Sequence, residues 1–214
     1  MDNYVLPKKP EPSKKYVELV EAYKDLHKEE DKFRGISLVP FAYDIYNILL
    51  HNNCKSILDY GCGKAIPYKE NHRDVDPKKK IPNFDKPLHK WWGIDELFLY
   101  DPAYPEHDKL PTKKYDMVIC TDVLEHIPEE DLNWVIRDLC SFSRSTMFIN
   151  VSTLPAKKTF KTGKYKGENV HVTVHDHEWW LNKVSTIWND NKNLKIYLTS
   201  TSNEGIMGTC IKGE

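Results

Sequence analysis

Residues 56–63 read Ser-Ile-Leu-Asp-Tyr-Gly-Cys-Gly, an apolar run that ends in an acid and two glycines. The first five residues have the length and composition of a buried parallel strand. Glycine tolerates positive φ and lets a ligand approach the backbone, while Asp59 can accept hydrogen bonds from loop amides or from a ligand ammonium. The stretch therefore predicts a strand leading into a loop for a nucleotide cofactor, with an ordinary strand-to-turn connection as the alternative.

Apolar runs and helical periodicities alternate along the rest of the chain. The predicted strands cover residues 97–101, 115–121, 147–151, 171–174, 194–200 and 207–212, and the predicted helices cover about 16–26, 37–51, 129–144 and 178–189. This alternation predicts an α/β fold with a Rossmann-like, mostly parallel sheet. The last two strands flank a turn at residues 202–205 and predict a C-terminal antiparallel hairpin.

Length and composition limit the class of protein. The chain of 214 residues has a net charge of −1, which gives no global basic signal for nucleic acid. Its five cysteines include no Cys-x-x-Cys pair, which favours free thiols in a reducing compartment. Residues 1–15 are polar, so we expect no signal peptide, and no apolar run approaches the roughly 18 residues of a membrane span. We therefore expect a soluble cytoplasmic protein with no membrane partner.

The chain is expected to have two parts. Residues 1–52 are predicted to form a lead and helices that cover the cofactor pocket, and residues 53–214 the cofactor-binding domain. Insertions are expected at about 65–92 and 153–177, where no clear apolar period is present.

An acid at the end of the second strand commonly holds the ribose hydroxyls in doubly wound folds. Asp101 closes the predicted strand at 97–101 and fits this role, since a carboxylate can accept from both the 2′- and the 3′-hydroxyl. Asp95 is the competing acid, but a weaker apolar run precedes it. A turn initiated by Asp101 and Pro102 is the alternative that needs no ligand.

Residues 115–128 read Tyr-Asp-Met-Val-Ile-Cys-Thr-Asp-Val-Leu-Glu-His-Ile-Pro. This stretch resembles the fourth-strand motif of class I S-adenosylmethionine (SAM)-dependent methyltransferases, for which FDxVxxxxVLEHI is a common form. Within that family the chain resembles a bacterial and phage subgroup of uncertain substrate. The shared motifs fall at residues 100–102, 110–114, 155–159, 167–171 and 178–180, so the resemblance spans roughly residues 55–185.

The resemblance implies SAM-dependent methyl transfer and assigns roles to particular residues. The implied cofactor residues are Asp59, Gly61 and Gly63 at the methionine end of SAM, Asp101 at the ribose, and Thr121 and Asp122 after the fourth strand. Glu125 and His126 are implied to line the mouth of the pocket.

The chain also departs from the family pattern. Ala65 replaces the third glycine of the loop, and residues 102–114 are too few for the usual helix plus third strand. The predicted sheet is therefore abbreviated around its third strand. Glu106 or Asp108 is our candidate for recognition of the adenine amino group.

Methyl transfer needs a base only if the acceptor is protonated at neutral pH. His126, with Asp122 nearby, and His171 are the candidate catalytic residues; a structural hydrogen bond is the alternative for His126. His171, His175 and His177 would share one face of a strand and could bind a metal. Because His-rich turns before a helix are common, we assign no metal site.

Residues 157–166 contain five lysines and two aromatic residues between the fourth predicted strand and His171. This segment is interpreted either as a lid that recognises an anionic sugar, nucleotide or small metabolite, or as a solvated loop. A small-molecule acceptor is expected, and nucleic acid is less favoured.

Two other functions remain open. One is an NAD-dependent oxidoreductase, although Ile66 occupies the last glycine position of the dinucleotide pattern. The other is an inactive SAM-binding module, which Ala65 and the short stretch 102–114 would favour.

Overall fold

The computed structural model describes residues 10–71, 85–190 and 192–212. Its α-helices are α1 (Lys14–His27), α2 (Ala42–His51), α3 (Leu88–Trp92), α4 (Leu132–Phe142) and α5 (His177–Trp188). Short 3₁₀ helices cover Ile36–Phe41, Ile66–Tyr68 and Leu124–His126. The strands are β1 (Ser56–Tyr60), β2 (Glu96–Tyr100), β3 (Tyr115–Thr121), β4 (Ser143–Ser152), β5 (Lys195–Ser202) and β6 (Gly205–Ile211).

The strands form a six-stranded sheet in the order β2–β1–β3–β4–β5–β6. Strands β1 to β5 run parallel, and β6 pairs antiparallel with β5. The predicted α/β class, the mostly parallel Rossmann-like sheet and the C-terminal hairpin are confirmed. Residues 101–114 are all described and contain no strand, as the abbreviation around the third strand requires.

Side chains of the central strands alternate between two cores, because successive residues of a strand point to opposite faces. Ile57, Met117 and Phe148 pack with α2 and α3 on one face. Leu58 and Val118 pack with α4 and α5 on the other. The sheet is therefore the middle of three layers, which explains the near-continuous apolar runs of its strands.

The strand order reverses at β1, since β2 lies on one side of it and β3 on the other. The crevice outside the carboxyl ends of β1 and β3 is therefore a topological switch point, where open α/β sheets bind ligands. Gly61 follows β1 and Asp122 follows β3, so both predicted loops reach this crevice.

Helix α1 is fixed by contacts with distant parts of the chain. Ser13 caps the helix by accepting the N–H of Tyr16 (3.0 Å), and its own N–H donates to Asp131 Oδ1 (2.9 Å). Tyr23 Oη donates to the carbonyl of Val170 (2.8 Å). These bonds hold α1 against both the start of α4 and the segment that follows β4.

No strand forms at residues 171–174, contrary to the prediction. The amides of Val172 and Thr173 donate to the carbonyl of Glu125 (2.9 and 3.0 Å), and that of His171 donates to Asn169 Oδ1 (2.9 Å). These bonds hold the segment against the turn after β3, so its amides are not available to a sheet edge.

The helix predicted at 129–144 is shorter in the structure. It begins at Leu132 because the preceding residues form a turn, in which the amide of Asp131 donates to the carbonyl of Pro128 (2.9 Å). At the other end, Ser143 already pairs with Tyr115 as the first residue of β4. Strand β4 is consequently longer than the predicted 147–151.

The predicted insertions contain little regular structure. In the first, the 3₁₀ helix Ile66–Tyr68 and α3 are described, whereas residues 72–84 lie outside the described part of the chain. The second is irregular until α5 begins, apart from a bridge between Thr159 and Asn169. None of the helices in the described ranges has the length and apolar character needed to cross a membrane.

Candidate functional site

The glycine loop after β1 is tied to the end of β2. The N–H groups of Gly61 and Cys62 donate to the carbonyl of Tyr100 (2.7 and 3.1 Å), and that of Gly63 donates to Asp101 Oδ2 (2.9 Å). Gly61 and Gly63 have φ values of 85° and 57°, which side chains other than glycine adopt rarely. The predicted turn is therefore formed, and its amides bind β2 and Asp101.

The chain that follows α1 lies directly on this loop. The amides of Lys64 and Ile66 donate to the carbonyls of Phe33 and Arg34 (2.8 and 3.0 Å). A Cβ at Gly63 would lie only 2.3 Å from the carbonyl oxygen of Phe33. The close approach that the sequence suggested for a ligand is made here by the protein's own backbone.

Asp59 is buried and bonded within the protein. Its Oδ2 accepts a hydrogen bond from Tyr68 Oη (2.8 Å). Burial raises the pKa of this carboxyl to about 7, although the hydrogen bond from Tyr68 opposes the rise. Asp59 therefore joins β1 to the 3₁₀ helix Ile66–Tyr68, and it is not among the residues that line the crevice cavities.

Asp101 stands at the carboxyl end of β2, where the sequence placed it. Its Oδ1 accepts from the amide of Ala103 (2.8 Å), and its Oδ2 accepts from Gly63. Burial raises the pKa of Asp101, against the opposing effect of the backbone amides that bind it. The competing Asp95 is exposed and precedes β2, at the opposite end of the strand.

His27, from α1, faces Asp101, with its Nε2 3.9 Å from Asp101 Oδ1. The ring stacks on Phe33 and on Tyr104, with centroids 4.7 and 5.3 Å apart. Desolvation lowers the pKa of His27 to about 4, so the ring is neutral at neutral pH. Its Nδ1 is buried without a hydrogen-bond partner among the described residues, a deficit that a polar ligand can remove.

Two cavities meet at the crevice. The smaller holds about 80 Å³ and reaches Asp101, and the larger holds about 430 Å³. The two cavities share four lining residues: Phe33, Gly61, Asp122 and His126. The larger cavity falls within the range of roughly 300–1,000 Å³ that is typical of small-molecule sites.

The three predicted catalytic residues, Asp122, His126 and His171, meet at the larger cavity. One potential ligand atom from each lies within 4.8 Å of those of the other two. Asp122 has a φ of 60°, in the left-handed region, and its N–H donates to the carbonyl of Asn150 (3.0 Å). Asp is more tolerant of this conformation than most residues.

Hydrogen bonds to carbonyl oxygens fix the tautomer of both histidines. His126 Nδ1 lies 2.9 Å from the Val170 oxygen, and His171 Nδ1 lies 2.6 Å from the Leu154 oxygen. Because a carbonyl oxygen only accepts, Nδ1 carries a hydrogen in both rings, and in the neutral form of each ring the lone pair is on Nε2. Desolvation lowers the pKa of His126 to about 4, against the raising effect of Asp122. A neutral imidazole of this kind can accept a proton or bind a metal.

The resemblance implies that Glu125 lines the mouth of the pocket, but its side chain is fully buried and lines neither crevice cavity. Its Oε1 accepts from the amide of Ser152 (2.5 Å), while Oε2 has no hydrogen-bond partner in the described structure. Burial raises the pKa of Glu125 well above its ordinary value, and the carboxylate of Asp122 raises it further. The turn after β3 therefore carries two neighbouring carboxyl groups, of which only Asp122 lines the crevice cavities.

The remaining predicted cofactor residues lie in different places. Thr121 is buried, lines the larger cavity and accepts from Ser37 Oγ through its carbonyl (3.4 Å). Glu106 is exposed and forms an ion pair with Lys69 (3.4 Å). Asp108 is also exposed, and neither acid is among the residues that line the crevice cavities. Neither Glu106 nor Asp108 is therefore positioned at the site to bind the adenine amino group.

The three histidines considered as a metal cluster are separated. His175 stacks on Trp179, with ring centroids 3.8 Å apart. His177 is buried and lies 2.9 Å from both Ser200 Oγ and Thr209 Oγ1, which links α5 to the terminal hairpin. Only His171 of the three reaches the crevice.

The lysine-rich segment at 157–166 is anchored to α1. Phe160 and Tyr165 are buried in a cluster with apolar side chains of that helix. The carboxylate of Glu18 accepts from both Lys164 Nζ and Tyr165 Oη (2.7 Å each). Lys157 and Lys158 line the larger cavity, so two of the five lysines face the candidate site.

Sequence reasoning missed Phe33 and His27. Nothing in the local sequence distinguishes either residue. Docking of α1 places His27 beside Asp101 and the following Phe33 over Gly63. The chain matches no model of a known protein family, and no curated protein matches it in sequence.

Proposed function

We propose that this chain transfers a methyl group from SAM to a small-molecule acceptor, with cofactor and acceptor meeting at the crevice beside β1 and β3. The observation that carries the proposal is the convergence of three separately predicted segments at one switch point. These segments are the glycine loop, Asp101 at the end of β2, and the turn from Thr121 to His126. Open α/β sheets bind their ligands at such points.

The smaller cavity supports binding of the nucleoside part of SAM beside Asp101. Asp101 Oδ2 accepts the amide of Gly63, and Oδ1 accepts the amide of Ala103. Because a carboxylate offers about four acceptor positions, positions remain for hydrogen bonds from ribose hydroxyls. The unpartnered Nδ1 of His27 lies at the same cavity. Because this cavity holds only about 80 Å³, we expect SAM to displace Phe33 and the chain after α1.

The larger cavity supports binding of an anionic acceptor. Lys157, Lys158 and Arg34 contribute positive charge to its lining, which exceeds the negative charge of Asp31 and Asp122. SAM supplies an electrophilic methyl group on its sulfonium, so the chain's own residues need chiefly to bind and orient the acceptor. The Nε2 atom of His126, whose ring is neutral, is available to receive a proton if the acceptor carries one.

Calorimetric titration tests the proposal with SAM, S-adenosylhomocysteine and NAD as ligands. We expect the first two to bind and NAD not to bind. Asp101→Asn should weaken SAM binding at least tenfold, whereas the matched variant Asp95→Asn, at the opposite end of β2, should stay within twofold of wild type. Thermal unfolding of both variants checks that they are folded.

The outcomes separate the alternatives. Failure of the wild-type protein to bind SAM and S-adenosylhomocysteine would remove the proposal, and binding of NAD alone would favour the oxidoreductase. Binding of SAM without methyl transfer to any member of a panel of phosphorylated and carboxylated metabolites would favour the inactive module.

A further inference from the structure

We propose that Asp122, His126 and His171 form a binding site for a divalent transition-metal ion that faces the larger crevice cavity. Their potential ligand atoms lie within 4.8 Å of one another, a spacing that a single ion can bridge with small side-chain movements. Two of the residues come from the turn after β3 and the third from the segment before α5. The fold thus brings together donors that are distant in sequence.

The hydrogen bonds of the two histidines prepare their rings for metal binding. Metal-binding histidines generally donate their other ring N–H to a carbonyl or a carboxylate, which fixes the tautomer and the orientation of the ring. His126 and His171 both do so, through the carbonyls of Val170 and Leu154. Neither Nε2 has a hydrogen-bond partner among the described residues, so both lone pairs are available.

The carboxyl of Glu125 is a second observation that points to a ligand beside the cluster. Its side chain is fully buried, and its Oε2 has no hydrogen-bond partner within the described ranges. Asp122 lies close enough for the two carboxyl groups to interact electrostatically. Buried acidic oxygens are ordinarily satisfied by donors or by metal ions, and a cation bound by the neighbouring Asp122 would also be a partner for this oxygen.

The backbone of Asp122 is also held in a conformation that residues other than glycine adopt uncommonly. Its φ of 60° lies in the left-handed region, and the bond from its N–H to Asn150 maintains that conformation. Strain of this kind persists where the surrounding structure fixes it, and it is concentrated at binding and catalytic positions.

The donor set selects a class of metal. Imidazole nitrogen suits Zn²⁺, Fe²⁺, Co²⁺ and Ni²⁺, whereas Mg²⁺ and Ca²⁺ prefer sites built from oxygen alone. Two imidazoles and a carboxylate therefore favour a transition-metal ion over Mg²⁺. Three protein donors leave at least one coordination position open towards the cavity.

The open position identifies the chemical class of the acceptor, an inference that rests on the proposed function. A metal ion at this site would bind an oxygen of the acceptor, while Lys157 and Lys158 in the same cavity would bind negative charge. The acceptor is thus inferred to be an oxyanion-bearing molecule, such as a phosphate or a carboxylate, whose reacting group is held by the ion.

Cobalt titration of tag-free, chelator-treated protein tests the site, because Co²⁺ reports its ligands through visible absorption. We expect one Co²⁺ ion per chain, displaced by Zn²⁺ but not by an equal concentration of Mg²⁺. Asp122→Asn, which retains tolerance of left-handed backbone, and His171→Ala should each weaken binding at least tenfold. His175→Ala should leave binding unchanged, since that ring stacks on Trp179 away from the crevice.

Several outcomes would overturn the site. These are the absence of Co²⁺ binding by the wild-type protein, undiminished binding by folded Asp122→Asn, and a thiolate charge-transfer band that assigns the ion to the exposed Cys210. SAM binding is measured separately in the presence of chelator. If the wild-type protein binds Co²⁺ but not SAM, the proposed function is contradicted and the metal site is not. If it binds SAM but not Co²⁺, the metal site is contradicted and the proposed function is not.

Discussion

His126 and His171 meet edge to face, with ring centroids 4.8 Å apart and ring planes at 88°. Each ring is held from behind by a backbone carbonyl, so their mutual orientation does not depend on flexible side-chain partners. The pair joins the turn after β3 to the segment that carries the cavity lysines. Substitutions in either segment should therefore alter ligand binding at the same crevice.

Gly63 is expected to be the more sensitive of two left-handed glycines. Gly63→Ala places a Cβ 2.3 Å from the Phe33 oxygen, whereas nothing lies within 4 Å of a Cβ at Gly163. Both substitutions carry the left-handed penalty of about 1 kcal/mol, and the clash should bring the loss for Gly63→Ala to about 3 kcal/mol. Urea denaturation measures both variants, and equal losses would contradict the packing of the Phe33 backbone on the loop.

Asp59 is expected to make the protein less stable as the pH rises. Its carboxyl keeps its proton up to about pH 7 in the folded protein, compared with about 3.9 when unfolded. Between these values the folded state holds more protons, so raising the pH lowers the free energy of unfolding, by at most about 4 kcal/mol.

Asp59→Asn removes this titration and should flatten the dependence on pH between 4 and 7. The measurement is the free energy of unfolding at several pH values for both proteins. Parallel curves for the variant and the wild type would show that Asp59 is not the titrating group.

Glu18 is expected to control the motion of the lysine-rich segment. Glu18→Ala removes the acceptor of both Lys164 and Tyr165, and amide hydrogen exchange should then become faster at residues 160–170. Because the ion pair with Lys164 is exposed to solvent, which screens it, the midpoint of urea denaturation should shift little. Glu21→Ala, which removes only the exposed pair with Lys24, is the control and should leave the exchange of that segment unchanged.

Lys157 and Lys158 are expected to bind anions at the larger cavity. Replacing both by Ala should weaken the binding of inorganic pyrophosphate about tenfold, because two charges that line the cavity are lost. The variant Lys161→Ala/Lys166→Ala changes the net charge equally, but neither residue lines that cavity, so it should bind within twofold of wild type. Equal weakening by the two double variants would indicate a general charge effect.

The sheet was predictable because its strands are buried on both faces and therefore appear as apolar runs. The runs at Ile57 and Val118 predict both the strands and the crevice between them. Residues 171–174 also appear as a strand, but the pattern does not show that their amides bond to Glu125.

The sequence predicted several residues of the candidate site, but it predicted few of the contacts that those residues make. Asp122, His126 and His171 were named from chemistry and position, and they lie together. By contrast, Asp59 was assigned to a ligand and binds Tyr68, since no local pattern shows which way a buried carboxyl points. The covering of Gly63 by Phe33 depends on docking of α1, a contact between segments distant in sequence.

The contacts of α1 have a consequence for the order of folding. Ser13 binds Asp131, 118 positions away, and Tyr23 binds Val170, 147 positions away. Closing such long loops carries an entropy cost that only an already formed partner surface repays. Helix α1 is therefore expected to dock late, after β3, α4 and the following segment have been synthesised and folded, so that the crevice is completed at the end of folding.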